Sequence, residues 1–252
     1  MQADIRYYDE VDSTNTVLMK LADEGAAEGT CVVASYQSNG QGRSGRTFYS
    51  PSGNLYMSLL LRPDNEKLLQ MITVIAGVAA VEAIKESYGV KCGIKWVNDI
   101  FLKDRKAGGI IAKACGNTTG DRYVVLGIGI NIYEDSDVPD EIKDVYTSIT
   151  GRRKDKECVK SDLTKLARKI TERFSHYYDR CLLKEAVDEY RKMSCVIGKT
   201  VEYISGPELF TAKVCAISDD GGLILETKAG QRTFRDGEIR IRQVSQPCEI
   251  KH

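Results

Sequence analysis

Histidine is almost missing from this chain of 252 residues: there are two, His176 in a segment of helical spacing and His252 at the very end. A serine–histidine–aspartate arrangement needs an imidazole between nucleophile and acid, so that chemistry is disfavoured. The eight cysteines (31, 92, 115, 158, 181, 195, 215 and 248) contain no C-x-x-C pair, and Cys/His metal clusters are excluded on spacing. Net charge is also absent, since Lys plus Arg and Asp plus Glu both number 36. No global field then favours nucleic acid or an acidic membrane, and any basic site must be local. No run approaches the roughly eighteen apolar residues of a membrane span. Scattered cysteines without a secretory leader point to reduced thiols and a cytoplasmic location. What remains is the composition of an ordinary globule, 42% hydrophobic and 29% charged, long enough for one large domain or a large and a small one.

The most informative stretch is Gln37–Gly53, a polar loop between an apolar run at 31–34 and another at 55–61. Loops this long are functional or disordered, and Phe48 and Tyr49 inside it argue against disorder. It holds Gly40, Gly42, Gly45 and Gly53, the arginines Arg43 and Arg46, and no acid. Glycines let backbone N–H groups approach a ligand, and guanidinium groups offer forked donors to phosphate or carboxylate. The loop reads as an anion site, against the alternative of a basic surface loop. Gly40, Gly42 and Gly45 also spell G-x-G-x-x-G, but that fingerprint requires a helix to open at the third glycine. Phe48-Tyr49-Ser50-Pro51 follows instead, which disfavours a nicotinamide dehydrogenase.

Ile5–Tyr8 reads as a first strand, followed by a helix through Val17, Leu18 and Leu21 with Asp12 or Ser13 as its N-cap. Ser13-Thr14-Asn15 either caps only or presents polar groups to a ligand. Glu66–Tyr88 has helical spacing and ends at Gly89, a C′ glycine. Gly93–Val97 reads as a strand, Asn98-Asp99 as a turn and Ile100–Lys103 as the returning strand, with Lys106 next to Gly108-Gly109 beyond. Gly127 and Gly129 inside the apolar strand 122–131 mark a close approach of ligand or backbone, or relief of a packing clash. The stretch 134–159 reads as irregular; helices follow from Ser161 and over 185–193. Beyond Ser194, short strands alternate with Gly, Asp and Pro turns, the last over Glu238–Arg242, a pattern that indicates a small β-barrel. The domains are therefore expected at 1–194 and 195–252.

Together, Asp12-Ser13-Thr14-Asn15, Gln37-x-x-Gly40-x-Gly42-Arg43-x-Gly45-Arg46, Lys95-Trp96-x-Asn98-Asp99, Arg105-Lys106-x-x-Gly109-Ile110 and Gly127-Ile128-Gly129-Ile130-Asn131 resemble, in order and spacing, the biotin protein ligase family. The resemblance covers nearly the whole chain. It implies an α+β fold: a class II aminoacyl-tRNA synthetase-like mixed sheet with helices, followed by a small SH3-like β-barrel. The implied activity joins biotin and ATP into biotinyl-5′-AMP and passes the biotinyl group to one lysine of a biotin carboxyl carrier protein, of acetyl-CoA carboxylase or another biotin-dependent carboxylase. The resemblance makes Ser13, Thr14, Asn15, Gln37, Gln41, Gly42, Arg43, Lys106 and Gly109 biotin contacts. It assigns Arg43, Arg46, Phe48, Asn98, Lys106 and Asn131 to the nucleotide, with Arg43 and Lys106 catalytic. Asp99 becomes the candidate ligand of Mg²⁺ arriving with ATP, or the residue that orients Lys106.

Physical chemistry agrees with that implied reaction. Two anions repel unless cations line the site, and no histidine is required. An activated anhydride needs shelter from water, so the glycine-rich loop is expected to act as a mobile lid. The sequence departs from the family pattern at Gln41 and Ser44, where arginine is frequent, at Phe48, where tryptophan is usual, and at Val97, where proline is usual. Fewer loop cations imply looser retention of the adenylate, and the missing proline implies a less rigid corner at Asn98-Asp99. Zero net charge and a first strand at Ile5 disfavour the DNA-binding repressor form, and monomer and homodimer both stay open. The rivals are a lipoate or octanoate transferase of the same fold and a non-catalytic biotin-binding module.

Overall fold

Residues 55–61 (LYMSLLL) are apolar at every position but Ser58, and all are buried. Such a continuous run marks a strand covered on both faces. In the computed structural model, which describes residues 1–116, 120, 122–151, 155–235 and 239–244, this strand is the third of a seven-stranded sheet. The elements run β1 (Asp4–Tyr8), α1 (Thr14–Asp23), β2 (Thr30–Ala34), β3 (Leu55–Leu61), α2 (Glu66–Tyr88), β4 (Gly93–Lys95), β5 (Asp99–Leu102), β6 (Arg105–Gly116) and β7 (Arg122–Ile130). After them come α3 (Asp140–Lys143), α4 (Lys156–Tyr178) and α5 (Leu183–Met193). The large sheet has the order β1-β2-β3-β7-β6-β5-β4. Its β1–β2 pair is parallel, and the other neighbours are antiparallel.

One face packs on α2 and α4 through Met57, Leu59, Leu61, Ile72, Ile75, Leu163 and Phe174, among others. On the opposite face α1 inserts Leu18 and Ala22 against Val32, Leu60 and Val125. Alternation along β3 divides its side chains between these layers, which places Ser58 on the α1 side. Helix α2 starts at Asn65, whose side chain accepts a hydrogen bond from the Leu68 N–H, and it ends at Gly89 in the left-handed conformation (φ 70°), as its sequence leads one to expect. By length and hydropathy α2 passes for a membrane span, which corrects the expectation that no run comes near that length; 72% of its apolar window is buried inside the fold.

A second sheet, five antiparallel strands in the order β11-β10-β9-β8-β12, follows α5. Its strands are β8 (Thr200–Ser205), β9 (Glu208–Ile217), β10 (Leu223–Thr227), β11 (Gly230–Phe234) and β12 (Arg240–Val244). The expected start of the last strand at Glu238, and the chain end with Cys248 and His252, lie outside the described residues.

Three boundaries differ from expectation. α4 begins at Lys156 rather than Ser161, because Asp155 caps it by accepting the Cys158 N–H at 3.0 Å. A short helix, α3, interrupts the stretch expected to be irregular. The turn after β4 falls on Trp96–Asn98, and Asp99 is already paired in β5 with Lys95 and Gly109.

Candidate active site

Polar side chains at the start of α1 meet Ser58, the one polar position of β3. The Ser58 hydroxyl lies 2.7 Å from Asn15 Oδ1 and 2.8 Å from Thr14 Oγ1. Thr14 donates to Gln37 Oε1 through its backbone N–H (2.9 Å) and its hydroxyl (3.1 Å). Gln37 Nε2 in turn donates to Ser50 (3.1 Å), and Ser50 to the Phe48 carbonyl (2.8 Å). Buried polar groups need partners, and this relay supplies them while tying the two ends of the Gln37–Gly53 loop to the sheet. The Gln37 amide oxygen is therefore committed to Thr14, so only an N–H remains for a ligand. Ser13 stands at the N-cap, but its side chain makes no cap hydrogen bond. Its buried Oγ lacks a partner in the protein, so the capping-only reading fails for Ser13.

The loop folds back as a narrow ribbon. Gly42 N–H donates to the Arg46 carbonyl at 2.7 Å and Phe48 N–H to the Gly40 carbonyl at 2.9 Å, with a single 3-10 turn at Arg43–Gly45 between them. A Cβ at Gly40 would meet Ser50 Oγ at 2.3 Å and the Phe48 carbonyl at 2.4 Å; glycine there allows the crossing. The ribbon delivers Arg43, whose Nη1 donates to Asn98 Oδ1 at 3.0 Å. The Asn98 amide is oriented by its own Nδ2, which donates to the Ile110 carbonyl at 2.8 Å. Next to it, Lys106 Nζ pairs with Asp99 Oδ1 at 2.6 Å. Arg43, on the loop, and Lys106, on β6, are thus each held by a side chain of the 96–99 corner.

Phe48 lies on a floor without side chains. Gly109 of β6 faces Gly129 of β7, and a Cβ at Gly129 would stand 2.6 Å from Phe48 Cε1. Lys106 Nζ sits 5.8 Å from the centre of the same ring. Gly127 serves Asn15 in the same way: a Cβ there would come within 2.7 Å of Asn15 Oδ1 and 2.9 Å of Ile111 Cγ2. Asn131, at the end of β7, donates through Nδ2 to the Thr147 carbonyl (3.1 Å). Its buried Oδ1 has no partner.

These groups line one cavity of about 660 Å³, a size typical of small-molecule sites. Thr14, Asn15, Gln37, Gln41, Gly42, Arg43, Arg46, Phe48, Asn98, Asp99, Lys106, Gly109 and Asn131 all border it, whereas Ser13 does not. Among the described residues there is no group of three metal-ligating side chains, and Asp99 is engaged by Lys106. That suits a magnesium ion held chiefly by ATP phosphates with one carboxylate at most.

Three contributions escaped the sequence. Trp96 and Val97 line the cavity from the corner. Ile142, Val145 and Tyr146 border it from the segment after β7, where Lys106 N–H donates to the Val145 carbonyl and Thr147 N–H to the Lys106 carbonyl. The apolar Val145-Tyr146 island in a polar stretch was the available signal. Burial, and then the Asp135 charge, pushes the Tyr146 hydroxyl up to about 12, so it stays protonated and neutral. Lastly, Ile204, Gly206, Ile239 and Ile241 reach the cavity from the second sheet, and no spacing rule links them to it.

Residues 7–131 match the Biotin/lipoate A/B protein ligase family, and residues 196–242 match the Biotin protein ligase C terminal domain. The chain is 32% identical over 242 residues to the bifunctional ligase/repressor BirA of Bacillus subtilis, covering 93% of this chain and 73% of that one. It is 26% identical over 235 residues to the biotin–[acetyl-CoA-carboxylase] ligase of Mycobacterium tuberculosis (89% and 83% covered). The biotin protein ligase of Aquifex aeolicus, solved in complex with biotin and ATP, superposes with a TM-score of 0.78 at 30% identity over 95% of this chain and 98% of that one.

Proposed function

The chain belongs to the biotin/lipoate A/B protein ligase family, as a biotin protein ligase, and from that premise we propose how its residues share the reaction. The enzyme activates biotin with ATP and transfers the biotinyl group to a lysine of a biotin carboxyl carrier protein. In the first step a biotin carboxylate oxygen bonds to the α-phosphorus of ATP while the bond from that phosphorus to the bridging oxygen breaks, and pyrophosphate leaves. In the second, the neutral amine of the carrier lysine attacks the acyl carbon, AMP departs, and the nitrogen loses a proton.

The observation that carries the reading is the pair of oriented cations, Arg43 on Asn98 and Lys106 on Asp99, in one cavity with the buried polar groups of Thr14, Asn15 and Gln37, which Ser58 backs. The polar cluster suits the ureido ring of biotin, which offers both donors and an acceptor. Ser13 Oγ, buried next to Thr14 and without a protein partner, is kept as a further biotin contact in this proposal. The two cations suit the place where carboxylate and α-phosphate must meet, and Arg46 at the rim suits the departing phosphates. Holding them in advance removes reorganisation from the reaction itself. Magnesium accompanies ATP as part of the substrate and neutralises phosphate charge. Asn131 Oδ1, buried without a protein partner, suits a donor of the nucleoside, and Tyr146 borders the same cavity. Phe48 supplies a ring for the adenine to stack on, and the ribbon that bears it closes over the intermediate. We keep the domain division after Ser194 as part of this proposal, with the second sheet completing the cavity wall.

A charge-assisted hydrogen bond contributes about 1.5–3 kcal/mol, so Lys106→Ala should slow adenylation roughly tenfold to a few hundredfold. The deciding assay is acid-dependent ATP–pyrophosphate exchange, followed by the mass of a carrier domain after incubation with biotin and MgATP. Biotin should drive exchange and label one lysine. Exchange driven by lipoate or octanoate instead, or tight biotin binding without pyrophosphate release, would overturn the reading.

A further inference from the structure

The corner that holds Arg43 is itself held from outside the catalytic sheet. The indole Nε1 of Trp96, buried, donates to the Gly221 carbonyl in the β9–β10 turn at 2.9 Å, across 125 positions of sequence. One residue on, the Val97 carbonyl accepts from the buried Tyr190 hydroxyl on α5 at 3.1 Å. The turn that receives Trp96 is wedged in place. A Cβ on Gly221 would stand 2.9 Å from Val74 Cγ2 of α2. Arg191 of α5 reaches the same turn, donating to the Ile217 carbonyl at 2.9 Å and pairing with Asp219 at 2.6 Å. The second sheet therefore grips the residue two positions before Asn98, and Asn98 accepts from Arg43.

We propose that Trp96 is a positioning residue for adenylate formation: its N–H fixes the 96–99 corner to the second sheet and so sets where Asn98 places the Arg43 guanidinium. This deepens the ligase reading and rests on it. Buried indoles generally find an acceptor, so the bond alone would be ordinary packing. Its location makes the difference. It connects the β9–β10 turn to the corner that orients two cations of the cavity, through Asn98 to Arg43 and through Asp99 to Lys106. The corner has no proline at Val97, and these two hydrogen bonds brace it instead.

The test uses the full chain. Trp96→Phe keeps an aromatic ring and removes the donor. Leu166→Ala, a buried position of α4 that does not border the cavity, serves as the control for lost stability. Measured for each are biotin- and ATP-dependent pyrophosphate release (kcat and KM for ATP), biotin Kd by calorimetry without nucleotide, and Tm. Because a misplaced group costs up to about a hundredfold, Trp96→Phe should lower kcat roughly tenfold to a hundredfold. Biotin Kd should rise far less than kcat falls, since Thr14, Asn15 and Gln37 still hold the ring. Leu166→Ala should lower Tm and leave kcat within about twofold. In an Arg43→Ala background the kcat loss from Trp96→Phe should largely vanish, because groups acting through one another are not additive.

Unchanged kcat in Trp96→Phe, a biotin Kd that worsens in step with kcat, or full additivity with Arg43→Ala would each overturn the inference. If Trp96→Phe does not fold, Tyr190→Phe, which removes the second brace, carries the same test with a smaller kcat loss expected. A wild-type chain that releases no pyrophosphate would sink the ligase reading instead, so the two failures are distinguishable.

Discussion

A methyl group at position 127 is the sharpest probe of the polar end of the cavity. In Gly127→Ala the new Cβ would lie 2.7 Å from Asn15 Oδ1 and 2.9 Å from Ile111 Cγ2, both closer than real contacts allow. Ile111 belongs to β6, the strand paired with β7 at this position, so it has little room to retreat. Asn15 must move, but its amide oxygen is held 2.7 Å from the Ser58 hydroxyl and the residue is 95% inaccessible by its 5% exposure. Moving it forfeits one hydrogen bond, about 0.5–1.5 kcal/mol, and leaves a buried polar group short of a partner, about 1–3 kcal/mol. The total of about 2–4 kcal/mol divides between fold and ligand. If half falls on binding, biotin Kd rises roughly tenfold, and if most does, a few hundredfold. Calorimetry of biotin without ATP, beside urea unfolding of the same variant, separates the two shares. A biotin Kd within twofold of wild type would refute the placement of biotin against Asn15. ATP affinity serves as the internal control, because the phosphate end should be untouched.

Asn54 makes a test of stability: its buried Oδ1 accepts from the Ile132 and Tyr133 N–H groups at 2.7 and 2.9 Å. Asn54→Ala strands both donors and should cost about 3 kcal/mol, lowering Tm by roughly 6–12 °C in calorimetry; a change under about 2 °C would count against it. Burial pushes the Cys31 and Cys92 thiols up to about 12, and Tyr88, by burial first and Asp162 second, to about 12. These groups stay neutral in the fold while their unfolded counterparts ionise, so the unfolded state binds fewer protons and stability falls as pH rises from about 9 toward 12. Phenolate absorbance from the buried tyrosines should therefore appear together with loss of far-ultraviolet ellipticity, and a smooth titration with ellipticity intact would contradict this. Limited proteolysis should cut within Gln37–Gly53 in the free protein and be suppressed by biotin with MgATP; equal cutting in both states removes the case for a lid.

How much of this was legible in the sequence follows from the range of the interactions. Local chemistry was readable: Gly89 ends α2 because a cap acts within a turn of the chain, and the apolar run 55–61 announced a strand. The cations were readable too, since Arg43, Arg46 and Lys106 sit beside glycines. What those cations lean on was not. Asn98 to Arg43 spans 55 positions and Trp96 to Gly221 spans 125, distances at which no periodicity or propensity operates. Ser58 had no local signal apart from being the polar member of an apolar run, though that oddity was itself a pointer. Ser13 shows the opposite limit. It has the identity of a cap residue, yet its hydroxyl does not cap, and the Thr14 N–H at the α1 start donates instead to Gln37 of the central loop.

The glycine floor under Phe48 has a bearing on inhibitors. A compound that stacks on the free side of Phe48 would lean on a ring that itself rests on main chain, and substitution beneath that ring can only add atoms, never subtract them. With a Cβ at Gly129 already 2.6 Å from Phe48 Cε1, any such escape would dislodge the ring proposed to carry the adenine, and the natural ligand would lose its seat along with the drug.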